Sequence, residues 1–116
     1  MRAFALGLLL TAGWVTGAFA QSIGGRYSVQ GTNPNGSAYS GTAEITPRGN
    51  VCRIAWHVGS EWQGICMMNG DAFAASYSSG SSYGLLIYRL QPDGTLTGVW
   101  TLGANSTGTE TLIPMR

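Results

Sequence analysis

The chain has 116 residues, 18 of them glycine, with 44% hydrophobic and only 9% charged residues. Its six basic residues, all arginine, and five acidic residues are scattered singly and leave a formal net charge of +1, which excludes the basic field that nucleic acid or an anionic lipid surface requires. Two cysteines and one histidine are too few ligands for a structural zinc site, so neither a metal nor a cofactor is expected.

In chain order, residues 1–20 read as a signal peptide. Arg2 supplies the positive start, Phe4 to Val15 form an uncharged apolar run, and Ala18-Phe19-Ala20 has the small-x-small form of a cleavage site. The run is too short to span a bilayer, and no second one follows. The expectation is an exported protein, periplasmic or secreted, with residues 21–116 as a single domain and no membrane span in the mature chain. Export places its two cysteines where they should pair.

From Gly25 onward, turn residues recur every eight to twelve positions: Asn33-Pro34-Asn35-Gly36, Pro47 to Asn50, Gly59-Ser60, Asn69-Gly70, Ser78 to Ser82, Pro92-Asp93-Gly94 and Gly103 to Ser106. The segments between them alternate apolar and polar residues and are rich in aromatic and β-branched side chains, the pattern of short strands. This predicts eight strands, at 25–32, 37–46, 50–58, 61–68, 71–77, 83–91, 95–102 and 107–114, and no helix. Short connections pair neighbours in sequence, so the fold class is all-β, a single antiparallel up-and-down barrel of eight strands.

Matching the apolar faces across each turn predicts registers. Val29 should face Gly41, Ile45 should face Cys52 around a turn at Arg48-Gly49, Met68 should face Asp71 around Asn69-Gly70, and Leu90 should face Leu96. The repeated form Ser-x-aromatic-x-Gly, at Ser37–Gly41 and Ser60–Gly64, sets inward aromatics beside inward glycines. Such a glycine either lets a ring lie across bare backbone or marks a bend in a tightly curved sheet.

The stretch CRIAWHVGSEWQGIC, residues 52–66, holds both cysteines, two of the four tryptophans and the single histidine. Turning Cys52, Ile54, Trp56 and Val58 inward, with Trp62, Gly64, Cys66 and Met68 on the returning strand, sets Cys52 opposite Cys66 and Trp56 opposite Trp62. Directly opposed Cβ atoms lie about 4.5–5.5 Å apart, within modest adjustment of disulfide geometry. The stretch therefore reads as a stapled hairpin. His57 has the opposite parity, points to the other face and cannot serve either cysteine as a base, so a catalytic thiol is not expected.

The inward set is bulky and aromatic: Tyr27, Tyr39, Trp56, Trp62, Phe73, Tyr77, Leu86, Tyr88, Leu90, Leu96, Trp100 and Leu112. An eight-stranded barrel is just wide enough to be filled by such side chains or to hold one small ligand. A filled interior is the expectation. Inward glycines at 31, 41, 64, 84, 98 and 108 leave the alternative of a cavity lined by Tyr27, Tyr39, Trp56, Trp62, Tyr77, Tyr88 and Trp100. Glu110 shares the parity of inward Leu112 and would then need tyrosine hydroxyls or tryptophan N–H groups as partners; the competing face of Thr109, Thr111, Ile113 and Met115 would leave it in water.

The outward face is polar, unlike that of an outer-membrane barrel, except on strands four to six. There Ile65, Met67, Ala72, Ala74, Leu85 and Ile87 should form an apolar patch, with Ile65 opposite Ala74 and Met67 opposite Ala72. Such patches mark interfaces.

The successions GRYSVQGTNPNGSAYSGTAEI, IAWHVGSEWQG and LQPDGTLTGVWTLGANSTGTETL resemble a group of small exported bacterial proteins often labelled fibronectin-binding protein, with an avidin- or lipocalin-like barrel. The resemblance implies an eight-stranded barrel with a binding function; no biotin-site constellation accompanies it. The expected function is an envelope binding or interaction module, fibronectin-binding-like, meeting a second copy in a weak homodimer or an envelope or extracellular protein partner through the patch. The alternative is a carrier of a small apolar ligand inside the barrel. With no nucleophile–base pair and no paired carboxylates, an enzyme is not expected.

Overall fold

The structure, a computed structural model, describes residues 23–115; the expected signal peptide at 1–20 lies outside the described residues. Eight strands form a closed antiparallel barrel in which each strand pairs with its neighbours in sequence and the last returns to the first. They are β1 (Gly25–Thr32), β2 (Ala38–Arg48), β3 (Val51–His57), β4 (Glu61–Asn69), β5 (Ala72–Ser79), β6 (Ser82–Leu90), β7 (Leu96–Leu102) and β8 (Ser106–Pro114). The described residues contain no helix, and the strand limits read from the sequence stand within two residues of these.

All seven connecting turns carry a glycine at positive φ, from Gly36 to Gly103, with φ between 62° and 95°. A side chain at such a position would be strained, so these glycines set where each strand stops. Two turns sit one residue later than the sequence pattern suggested. Arg48 pairs with Val51 and Asn69 with Ala72, so the two-residue turns are Gly49-Asn50 and Gly70-Asp71. Glycine takes the first turn position, where the primed hairpin turns require a positive φ. Ile45 accordingly faces Ile54 instead of Cys52, Met68 faces Phe73 instead of Asp71, and Met67 takes the place opposite Ala74 that the pattern gave to Ile65. A shift of one turn position moves the register by two and leaves every side chain on its own face.

The other registers follow the apolar pattern: Val29 opposite Gly41, Leu90 opposite Leu96, Cys52 opposite Cys66 and Trp56 opposite Trp62. Cys52 and Cys66 form a disulfide. The core is packed toward one end of the barrel, where Ile23, Tyr27, Val29, Ile45, Ile54, Phe73, Leu96 and Leu112 are buried. The Tyr27 hydroxyl donates to the Ile23 carbonyl, which ties the start of the described chain across that end. The disulfide also lies at this end, beside the β2–β3 turn, where Cys52 faces Pro47.

The outer patch is present. Ile65, Met67, Leu85 and Ile87 are each between 53% and 63% exposed, Ala74 is exposed, and Ala72 is half-buried. Met67, Ala74, Ile87 and Val99 follow one another as directly paired residues across β4 to β7, so an unbroken apolar row crosses four strands.

Candidate ligand-binding cavity

The hairpins β1–β2, β3–β4, β5–β6 and β7–β8 all turn at the end of the barrel opposite the packed core. Each brings an aromatic residue to that open end: Tyr39, Trp62, Tyr77 and Trp100. Three of these rings stand directly across the ladder from a glycine, Tyr39 from Gly31, Tyr77 from Gly84 and Trp100 from Gly108. A Cβ on Gly84 would meet the Tyr77 ring at 2.5 Å and one on Gly108 the Trp100 ring at 2.4 Å, and at both positions it would also meet a backbone carbonyl oxygen, at 2.0 and 2.1 Å. Ring-over-glycine packing and strand curvature therefore occur at the same positions, and only glycine satisfies both.

These rings surround a cavity of about 300 Å³ lined also by Trp56, Leu86 and Glu110, with Asn33, Val58, Ser60 and Leu102 at its mouth. The barrel interior is thus divided: packed at the disulfide end and hollow at the other. The sequence pattern favoured a filled interior. Volume is freed because the inward positions paired with three of the four large aromatics of the open end are glycines.

Glu110, on β8, lies on the floor of the cavity and is 4% exposed. Inward placement follows from the register that sets it opposite Gly31 and Gly98. Its Oε1 accepts from the Tyr39 hydroxyl at 2.6 Å, and its Oε2 accepts from Trp56 Nε1 at 2.9 Å and from the Tyr88 hydroxyl at 2.5 Å. Three strands thus deliver three donors to a fourth. Burial pushes the Glu110 carboxyl above its ordinary range, and the hydrogen bonds from Tyr39, Tyr88 and Trp56 oppose that rise. Burial, and then the charge of Glu110, raise Tyr39, Tyr88 and Tyr77, the last to about 12.

The remaining polar tips are also occupied. Trp62 Nε1 donates to Ser60 Oγ at 2.9 Å, Trp100 Nε1 to the Thr109 carbonyl at 3.1 Å, and the Tyr77 hydroxyl to the Thr101 carbonyl. Edge-to-face contacts hold the rings against one another, with Tyr77 meeting Trp62 and Trp56 at centroid separations of 5.3 and 5.6 Å. Fixed rotamers of this kind preform a site.

Of the residues singled out in the sequence as lining a cavity, Tyr39, Trp56, Trp62, Tyr77, Trp100 and Glu110 stand together on its wall. Tyr27 does not; its hydroxyl is at the packed end on Ile23. Tyr88 is fully buried behind the floor and reaches the cavity only through Glu110. Asn33, Ser60 and Leu102 belong to the wall but were not anticipated, because turn residues and strand ends fall outside an alternation argument. Cys52 and Cys66 take no part in the cavity, and His57 pairs on the outer surface with Glu61 at 2.7 Å. Among the described residues no three His, Cys, Asp or Glu side chains gather as a metal site, and no helix is long and apolar enough to cross a membrane.

No protein-family model matches the chain, and no curated protein sequence matches it; the resemblance to proteins labelled fibronectin-binding thus gains no support from either comparison. The fold is similar to that of designed barrels. A redesigned β-barrel, b11L5F_LGL, superposes with a TM-score of 0.76 at 17% identity, over 84% of this chain and 95% of that one. The redesigned barrel mFAP1, bound to DFHBI, gives 0.73 at 19% identity over 81% and 96%. A de novo designed fluorescence-activating β-barrel gives 0.68 at 15% identity over 83% and 96%. At these identities the likeness is one of fold.

Proposed function

We propose that the protein binds and carries a small, largely apolar ligand in the open half of its barrel, without chemistry on it. One observation carries this reading: a preformed cavity of about 300 Å³, walled by five aromatic rings and bearing one carboxylate on its floor. That volume is at the lower end of ligand pockets, and an apolar wall with few convergent polar groups is their usual make-up. The structural neighbour mFAP1 holds a small molecule, DFHBI, in a barrel of similar fold, which supports the use of this architecture as a container. The disulfide is compatible with export, so we place the carrier outside the cytoplasm.

Three of the four tryptophans, Trp56, Trp62 and Trp100, line the cavity, so occupancy should change intrinsic fluorescence. Titration with a neutral hydrophobic dye such as Nile red, together with native mass spectrometry of the purified protein, tests the reading. Saturable one-to-one binding is expected, and Val58→Trp, which fills the mouth, should abolish it. Binding that survives Val58→Trp places the ligand elsewhere and ends the proposal.

A second reading concerns the outer face. The row from Met67 to Val99, flanked by Ile65 and Leu85, supports weak self-association through a two-fold contact, since a self-complementary patch closes on itself. An adhesion role toward envelope or extracellular proteins would use the same surface.

A further inference from the structure

We infer that the cavity selects an organic ammonium cation carried on an apolar body, with the Glu110 carboxylate as its counter-ion and the surrounding rings as its cage. The inference rests on the carrier reading above and names the ligand class for the same site. Its basis is the donor set around Glu110. Trp56 Nε1 can only donate, and it stands 2.9 Å from Oε2. The two tyrosine contacts, at 2.5 and 2.6 Å, lie in the range of charge-assisted O–H···O⁻ bonds. Three donors converging on one carboxyl suit an ionised acceptor, which has no proton of its own to place.

Among the described residues no cation pairs with that charge. All the arginines among the described residues lie outside the cavity, and no other charged side chain lines it. Three donors also leave capacity over: an ionised carboxylate offers about four lone-pair sites. Oε2 accepts two side-chain bonds and Oε1 accepts one, from Tyr39, so Oε1 keeps room for a ligand N–H. A buried anion without a counter-charge is costly, and a cationic ligand would supply what the protein omits.

The walls favour the same partner. A sphere of the cavity's volume is about 8 Å across, so a cation inside lies within the roughly 6 Å reach of cation–π attraction to several rings at once. Tryptophan, the strongest such ring, contributes three of the five. An anionic ligand would meet the carboxylate with little to compensate it, because the ring N–H and O–H groups of the wall are already engaged and the donors at the mouth, on Asn33 and Ser60, are neutral.

The test compares three probes of similar size: 2-phenylethylammonium, 2-phenylethanol and 3-phenylpropanoate, titrated by tryptophan fluorescence and calorimetry. The cation should bind about tenfold or more tighter than the alcohol, and the anion weakest. Glu110→Gln should bring the ratio of cation to alcohol affinity close to one. Should that variant not fold, wild-type protein decides through acid titration. The groups facing Glu110 are Tyr39, Tyr77 and Tyr88, all protonated in acid, so only Glu110 changes charge within the site. The ratio should fall toward one as it is protonated. Equal affinities for cation and alcohol, or a ratio that survives both Glu110→Gln and acid, overturn the charge inference and leave a neutral carrier. If none of the three binds and Nile red does not bind either, the carrier reading falls with it.

Discussion

The ring of Tyr39 covers Gly31 directly across the β1–β2 ladder, so closely that a Cβ on Gly31 would stand 2.3 Å from Tyr39 Cζ and 2.4 Å from its hydroxyl oxygen. That hydroxyl is a donor to Glu110. Gly31→Ala should therefore act on the cavity floor by displacing the ring that holds the carboxylate. We expect a loss of about 1–3 kcal/mol from overpacking, and less than additive effects when it is combined with Tyr39→Phe. A double-mutant cycle in urea measures the coupling; full additivity would separate the two residues.

Tyr88 and Tyr39 make hydrogen bonds of nearly equal length to the same carboxylate, yet their removal should differ in effect. Tyr88 is buried, and Tyr88→Phe should cost roughly 1.5–3 kcal/mol, as for a hydrogen bond to a charged group. Tyr39 is half-buried at the cavity wall, where water can replace the lost donor, so Tyr39→Phe should cost about 1 kcal/mol or less. Denaturant midpoints compare the two. Both changes should raise the Glu110 carboxyl further, since both donors oppose its rise.

The disulfide joins β3 to β4 at the packed end, away from the cavity. Replacing Cys52 and Cys66 by alanine should lower stability by about 2–4 kcal/mol and leave probe affinity essentially unchanged at temperatures where the variant is folded. A large loss of affinity in folded protein would show that the hollow end depends on the staple.

Stability should fall toward alkaline pH. Tyr77 is raised from 10.0 to about 12, and Tyr27, Tyr39 and Tyr88 are also raised, by burial first. The unfolded chain releases these protons near pH 10 while the folded chain retains them, so the stabilisation is full below pH 10 and is lost as pH rises through 12. Glu110 acts in the same sense at lower pH: its contribution is full below 4.5 and is lost as pH climbs through its raised value. Denaturation midpoints followed upward from about pH 4 should show this slope in wild type, and Glu110→Gln should reduce it.

Ile65→Glu combined with Ile87→Glu should leave the fold intact, because both positions are more than half exposed. Sedimentation at increasing concentration should show weak association of the wild type and none of the variant. A wild type that stays monomeric would remove the second reading.

Alternation carried most of this fold into view. Parity alone turned Trp56, Trp62, Cys52 and Cys66 to one face and Ile65 and Met67 to the other, because a strand has only two faces. It could not locate the two residues that make a tight turn, so the partners of Ile45 and Met68 came out two positions away. The site was legible in its parts, down to Glu110 and the kind of donors it needs. Whether those parts enclose space was not, since packing density depends on where glycine faces an aromatic ring in three dimensions. Gly31, Gly84 and Gly108 each read as a bend or as a bare surface, and each turned out to be both.

The mouth of the cavity is framed by tight connections, at residues 33–37, 58–60, 80–81 and 103–105, each with its glycine fixed at positive φ. Loops this short have no slack to fold over a guest. Entry and exit would then be governed by diffusion and by the strength of the contacts within, with no gating step to slow either. Such a container equilibrates quickly with its surroundings: it buffers the free concentration of its cargo and does not hoard it.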